Sequence, residues 1–322
     1  MSKTVRWGIL GASNFAATFM GPAIHEANGA ELVALGTSDP AKALRFRDFC
    51  PALRVQSYDD LLAAADIDAV YIPLPNHLHV EWAERALAAG KNVLVEKPIA
   101  MRADEIDRLI ALRDRTGLLA AEAYMIVHHP QWIRARELLR EGAVGRLCHV
   151  DVAFSYNNPD MTNIRNRPET GGGGIRDIGV YAYGSVRWAT GEEPETVEAE
   201  IEWQNGVDIT AHVRARFASF SYRAMTSMRM APRQEVVFHG DRAVLRVTAP
   251  FNAAIFGEER LVLERDDRTI EHFRYPGTRQ YKLQVENFGR SLRDGAAYPW
   301  TLEDARGTQA MIDRVFAAAP PT

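Results

Sequence analysis

The stretch Gly8-Ile9-Leu10-Gly11-Ala12-Ser13-Asn14-Phe15-Ala16 constrains this chain more than any other. It joins a short apolar run, residues 5–10, to a helical pattern over residues 14–27. A tight turn at such a junction lets backbone N–H groups at the start of a helix face an anion. Gly11 can make the turn, and Ala16 is small enough for close helix–strand packing. Ser13 stands where the GxGxxG/A pattern carries its second glycine, and it brings a hydroxyl. In a strand–loop–helix context this reads as a dinucleotide-binding turn; a glycine-rich turn of some other α/β protein is the plainer alternative.

The residues that follow extend the pattern. Strand-like runs at 31–35, 55–58, 69–72, 92–95 and 118–123 alternate with helical stretches at 40–49, 59–65, 77–89 and 103–115. Alternation at this spacing predicts βαβ units and a parallel sheet. After a helix at 131–140 the period changes to that of strands, at 147–156, 196–203, 207–217, 220–230, 235–239, 243–247, 260–264 and 269–275. Many of these runs have one apolar face, as in an antiparallel sheet covered on one side. Helices at 281–293 and after Thr301 follow, the second with Thr301 and Asp304 spaced as a capping box. The expectation is an α/β Rossmann domain, a doubly wound parallel sheet, over residues 1–123. An α+β domain with a large, mainly antiparallel open sheet follows over 124–322.

Composition narrows the function classes. A chain of 322 residues with net charge −4 and no basic run gives no electrostatic reason to bind nucleic acid or an anionic membrane. Its two cysteines, Cys50 and Cys148, form no disulfide framework or CxxC metal site and suit a reducing compartment. The apolar stretch after Lys3 and Arg6 is short and runs into glycines, so it reads as a first strand. A cytoplasmic location is expected. Neither HExxH nor a related His/carboxylate pattern occurs, so no metal is expected.

The tip of the second strand reads Gly36-Thr37-Ser38-Asp39. An acidic residue at the tip would accept bonds from a ribose 2′-OH and repel a 2′-phosphate. Asp39 comes slightly late and suits a helix N-cap ahead of Pro40. Thr37, Ser38, Lys42 and Arg45 can cradle a 2′-phosphate instead. The cofactor expected is therefore NADP, with NAD as the alternative.

Several spaced segments now carry a resemblance. They are residues 11–16; Pro75-Asn76-His77-Leu78-His79; Ala89-Gly90-Lys91-Asn92-Val93-Leu94-Val95-Glu96-Lys97-Pro98; and Gly171-Gly172-Gly173-Gly174 followed by Asp177-Ile178-Gly179-Val180-Tyr181. Residues 187–194 complete the set. In this order the chain resembles the Gfo/Idh/MocA family of oxidoreductases over nearly its whole length. Tyr181, where inositol dehydrogenase-like branches carry His, resembles the glucose-fructose oxidoreductase, dimeric dihydrodiol dehydrogenase and aldose (xylose) dehydrogenase branch. That branch implies NADP, a carbohydrate-like substrate and a homodimer or homotetramer. Three positions depart from the family pattern: Ser13, Val127 before His129-Pro130, and Arg176 before Asp177.

The resemblance and the chemistry of the residues agree on a site. Lys97 follows the fifth strand at the carboxyl edge of the sheet, where ligands of open α/β sheets sit. An ammonium there polarises a carbonyl or stabilises a forming alkoxide. Tyr181 is the expected acid–base; a phenol ordinarily titrates near 10, so it needs a neighbouring cation. Asp177, four residues earlier, orients a substrate hydroxyl or Lys97, or else caps its helix. Gly11, Ala12, Ser13, Asn14, Phe15, Thr37, Ser38, Lys42, Pro73, Asn76, His79, Glu96 and Lys97 are expected against the cofactor. Of these, Asn76 is expected to cap a helix first, and His79 suits a structural role as well. Lys97, Asn157, Asn163, Arg165, Asp177 and Tyr181 are expected against the substrate. The predicted reaction moves a hydride between nicotinamide C4 and a sugar-like alcohol or carbonyl. Keto-sugar reduction and dihydrodiol oxidation are the enzymatic alternatives, and a non-catalytic nucleotide-sensing regulator is the alternative of another class.

Overall fold

The computed structural model describes residues 4–320. Packing divides the chain into two units, one up to His128 together with Arg279–Arg306, the other His129–Thr278 together with the residues from Gly307 onward.

The first unit is built on a parallel six-stranded sheet of β1 (Val5–Leu10), β2 (Ala30–Gly36), β3 (Arg54–Gln56), β4 (Ala69–Ile72), β5 (Asn92–Glu96) and β6 (Ala120–Ala123). Their order is β3-β2-β1-β4-β5-β6. The winding reverses between β1 and β4, which opens a crevice at their carboxyl ends. All four residues of β4 are buried, as a central parallel strand requires. Helices α1 (Gly21–Glu26), α2 (Leu44–Arg47), α3 (Tyr58–Ala63), α4 (His79–Ala88) and α5 (Ala103–Thr116) connect the strands. The helix expected over 14–27 contains a wide π turn, Ala16–Met20, ahead of α1. The one expected over 40–49 is a 3-10 turn, Pro40–Ala43, plus the single turn of α2.

The expected division at residue 123 differs from the packing. Helix α8 (Gln280–Asp294) and the chain up to Arg306 return to the first unit. Aromatic anchors explain the return. Phe288 packs on Trp7 with ring centroids 4.9 Å apart, and Trp300 stacks on Tyr124 at 4.2 Å. Buried rings of this size bring far more apolar area than a local helix–strand contact. The start of α9 (Leu302–Ala318) has the expected capping box: Thr301 N–H donates to Asp304, whose own N–H donates to Thr301 Oγ1.

The second unit holds an eight-stranded sheet of β7 (Leu147–Asn157), β8 (Thr196–Gln204), β9 (Val207–Arg216), β10 (Ser221–Ser227), β11 (Arg229–Gly240), β12 (Ala243–Val247), β13 (Arg260–Arg265) and β14 (Ile270–Arg274). The order is β14-β13-β12-β11-β7-β10-β9-β8. Every neighbour is antiparallel except β7 and β10, which run parallel. That pair is parallel because a long excursion through α7 (Val180–Thr190), β8 and β9 separates its strands. On β9, Val207, Ile209, Ala211, Val213 and Ala215 face the core, while His212, Arg214 and Arg216 are exposed. Helix α6 (Pro130–Arg140) packs Trp132 edge-on against Phe238 of β11. Residues 180–189 of α7 are all buried, Ser185 and Arg187 included, so this helix is buried on every side rather than amphipathic. Trp188 is core, under the Arg136 guanidinium.

Among the described residues no helix is long and apolar enough to cross a membrane, and no group of three His, Cys, Asp or Glu residues could hold a metal.

Candidate functional site

In the first unit the turn after β1 is fixed by a cap within the turn and by a bond to the tip of β2. Gly11 has φ +124°, a conformation that side-chain-bearing residues rarely adopt. A Cβ there would lie 2.8 Å from Leu74 Cδ2 and 3.7 Å from the carbonyl of Pro73, the residue that follows β4. Gly11 N–H donates to Gly36 O at 3.0 Å, which ties the tips of β1 and β2 together. Ser13 Oγ accepts from Ala16 N–H at 3.0 Å, as a cap does. Its own proton stays available to an anion. Phe15, partly buried, packs against Phe19 and edge-on against Tyr281 of α8.

Beside this turn lies a cleft of about 240 Å³ whose lining includes Ala12, Ser13, Asn14, Lys42 and Arg45, with Phe46 beneath. Arg45 bonds Asn14 Oδ1 and Thr18 Oγ1, both neutral acceptors. The cleft therefore presents two cations and a serine hydroxyl, the donor set a 2′-phosphate needs. Asp39 is the helix cap that the sequence suggested, accepting from Ala41 N–H at 3.0 Å. Thr37 Oγ1 donates to Asp39 O and accepts from Asp39 N–H, so its proton is used within the turn. Ser38 is bonded to the Tyr58 phenol.

The loops after β4 and β5 bring the next residues together. Asn76 opens a 3-10 turn, Asn76–Leu78, whose N-cap position is held by Pro75 without a side-chain bond. Helix α4 is anchored by His79, which is fully buried. Its Nδ1 lies 2.8 Å from Pro98 O and its Nε2 2.7 Å from Leu74 O. Both ring nitrogens face backbone carbonyls, which is a structural role. Burial pushes its pKa down to about 4, against the two backbone bonds, which favour the charged ring.

Glu96 accepts from the Tyr71 hydroxyl at 2.5 Å, and its other oxygen lies 3.3 Å from Lys97 N. Lys97 is half-buried at the carboxyl end of β5, followed by a cis bond to Pro98. Glu122, on β6, is buried and was not anticipated from the sequence. It accepts from Ile99 N–H at 2.9 Å and Trp300 Nε1 at 2.8 Å, and burial pushes its carboxyl up to about 7.

In the second unit the glycine run and its helix are held from a distance. Gly173 has φ +112°, and a Cβ on it would meet Asp208 Oδ1 at 2.0 Å. Asp208, buried on β9, accepts from Ile175 N–H at 2.5 Å and bonds Gly174 N–H as well. It thus performs the capping that Asp177 was given as an alternative role. Burial pushes the Asp208 carboxyl up to about 7. Asp177, in a π turn (Ile175–Gly179) before α7, accepts from the Tyr156 hydroxyl at 2.6 Å and pairs with Arg165 at 2.9 Å. The Asp177 charge holds the Arg165 guanidinium above its ordinary range, and burial together with that charge raises the Tyr156 phenol. Tyr181 also contributes, less than Asp177 and Tyr156, to raising the Arg165 guanidinium. Tyr181 is 6% exposed, against Phe251 at 5.7 Å and Phe154 at 6.1 Å.

Of the remaining expected substrate residues, Asn163 caps the turn Ile164–Asn166 by accepting from Arg165 N–H, leaving its amide N–H₂ as the donor end. Asn157 is exposed at the end of β7, opposite Arg229. Arg176 stacks its guanidinium on Phe316. Sequence reasoning missed Tyr156 and Asp208. An aspartate in an otherwise apolar strand start, Val207-Asp208-Ile209, was the one available signal.

A doubly wound sheet with a phosphate-seeking turn, followed by a large open sheet, defines a nicotinamide-dependent oxidoreductase. The chain belongs to the Gfo/Idh/MocA oxidoreductase family. The model described as "Oxidoreductase family, NAD-binding Rossmann fold" matches residues 5–124, and the family's C-terminal domain matches 132–246. It is 36% identical to an uncharacterized oxidoreductase of Rhizobium meliloti, over 98% of this chain and 97% of that one. It is 34% identical to a dTDP-3,4-didehydro-2,6-dideoxy-alpha-D-glucose 3-reductase of Saccharopolyspora spinosa, over 92% and 90%. Among solved structures, a 3-ketoreductase from Actinomadura kijaniata in complex with NADP and TDP-benzene superposes with a TM-score of 0.91 at 28% identity, each chain 98% covered.

Proposed function

We propose that the chain is an NADP-dependent reductase of a sugar ketone. The observation that carries this is the near-full-length likeness to a dTDP-keto-sugar 3-reductase. The cationic cleft of Lys42 and Arg45 supports the choice of NADP, since a 2′-phosphate gains from two cations and no strand-tip carboxylate. When bound, the reduced cofactor supplies a hydride to the carbonyl carbon. Tyr181 gives its phenolic proton to the carbonyl oxygen, so a secondary alcohol forms and the tyrosine is reprotonated from solvent. Lys97 stabilises the negative charge as it develops on that oxygen. Asp177, already holding Tyr156 and Arg165, orients the substrate hydroxyls and keeps the Arg165 charge beside Tyr181. Solved variants of the Actinomadura kijaniata relative alter one lysine and one tyrosine, and these lie the same number of residues apart as Lys97 and Tyr181.

Oxidation of an aldose by NADP⁺ is the second reading. It is favoured by 29% identity, over 97% of both chains, to a D-xylose 1-dehydrogenase (NADP(+)) of Haloferax volcanii. We also propose a homodimer or homotetramer and a cytoplasmic location.

The test follows the reduced-nicotinamide absorbance with a dTDP-linked 3-keto sugar and NADPH, and in parallel with aldoses and NADP⁺. Consumption of NADPH by the keto sugar, lost in Lys97→Met and Tyr181→Phe, is the expected result. Turnover with aldoses alone moves the assignment to the dehydrogenase. Tight NADP(H) binding with no turnover of either class moves it to a non-catalytic regulator.

A further inference from the structure

One peptide group after β5 is gripped at both ends by buried ionisable side chains. The carbonyl of Pro98 and the N–H of Ile99 belong to the same planar unit. His79 Nδ1 lies 2.8 Å from that carbonyl, and Glu122 takes that N–H at 2.9 Å. The two side chains come from different elements, the first residue of α4 and the middle of β6. Glu122 is also tied to a third point, the indole of Trp300, and His79 Nε2 faces Leu74 O at 2.7 Å; a ring carrying one proton donates to one of its two carbonyls. Both side chains are buried, His79 at 0% and Glu122 at 2% exposure. A buried ionisable group is costly to keep, and a backbone amide in a loop needs only one modest partner. This loop peptide has two such groups, and the residue just before it is Pro98, whose preceding neighbour is Lys97. Proline's ring fixes its own φ, so holding the plane after Pro98 leaves little slack between that plane and the Lys97 Cα.

We infer that His79 and Glu122 are positioning residues that set the direction of the Lys97 ammonium by clamping the 98–99 peptide. Trp300 completes the clamp from the returning C-terminal segment. This deepens the reading of Lys97 in the proposed reductase, and it is testable without any substrate.

The test is competitive acetylation of the intact protein with acetic anhydride, read by mass spectrometry at Lys97, Lys42 and Lys282. In Glu122→Gln one face of the new amide offers N–H to a donor, so one of its two bonds is lost. The Lys97 rate is expected to rise at least three-fold, with Lys42 and Lys282 unchanged. His79→Leu is expected to do the same. His79→Asn, whose amide can still donate to Pro98 O, is expected to restore the Lys97 rate most of the way to wild type. Trp300→Phe keeps the stack on Tyr124 while removing the indole donor. Its expected effect is smaller and of the same sign, and it stands in if the buried-charge variants do not fold. Lys97 rates that stay at the wild-type value in Glu122→Gln, His79→Leu and Trp300→Phe overturn the inference, as does a rise shared equally by all three lysines. A selective Lys97 response in an enzyme that turns over no sugar would leave the clamp standing and remove the reductase reading alone.

Discussion

Gly11 and Gly173 occupy comparable places in the two units. Each has a positive φ, each opens a helix, and each carries candidate site residues just after it. What forces them differs. At Gly11 the space for a Cβ is limited by the far end of the Leu74 side chain, and the helix start is capped by Ser13 from three positions away. At Gly173 the space is filled by a carboxylate from another strand, and the helix start depends on that same carboxylate. The Rossmann helix start is thus capped from within its own turn, while Gly11 also leans on the Gly36 carbonyl at the next strand tip. The turn before Tyr181 is a tertiary object that exists only when β9 is in place. A local turn can be damaged piecemeal, whereas a tertiary one fails with its distant partner.

The strongest break of the comparison is catalytic. Lys97→Met and Tyr181→Phe, one in each unit, are each expected to lower kcat by about 10²–10⁴-fold, with the fold retained by circular dichroism. If only one did so, the chemistry would belong to one unit alone. Next comes glycine replacement. Gly173→Ala is expected to destabilise by about 3 kcal/mol, since a Cβ 2.0 Å from Asp208 Oδ1 displaces the cap as well as straining φ. Gly11→Ala should cost about 1–2 kcal/mol, from φ alone once Leu74 turns aside. Chemical denaturation checks both, and equal losses would remove the distinction between local and tertiary turns.

A third test uses pH. The Asp208 carboxyl is pushed up to about 7 by burial, so its protonated form favours the folded state. That contribution is fully present below pH about 4 and is lost as pH rises through about 7. Asp208→Asn cannot titrate. Its melting temperature relative to wild type should therefore improve steadily between pH 4 and 7; a constant offset would show that Asp208 is not the titrating group.

In the first unit, Lys42→Ala with Arg45→Ala is expected to weaken NADPH binding about ten-fold or more while leaving NADH unchanged, as calorimetry can show. An equal loss for both cofactors would mean the cleft does not face the 2′-phosphate. The smallest effect expected is at Ser13→Ala, about 1 kcal/mol or less for the lost cap.

The sequence by itself determined the order of elements in both units. Hydrophobic period distinguishes helix from strand locally, so the runs at 69–72 and 92–95 and the alternating strands after 147 needed no partner to be read. It also determined the pieces whose partners lie within a turn, Asp39 as a cap and the Thr301–Asp304 box, and it marked the Gly11 turn. Tertiary structure alone decided which unit α8 joins, because Phe288 and Trp300 find Trp7 and Tyr124 across most of the chain. It decided that Asp208, not Asp177, caps the helix of Tyr181, and that Asp177 is held by Tyr156 and Arg165. It also committed His79 and Glu122 to a single backbone peptide. The reason is common to all of these. A period or a cap is set by neighbours a few residues away, whereas the partner of a buried charge is whatever group the folded chain brings within about 3 Å, and no short window of sequence contains it.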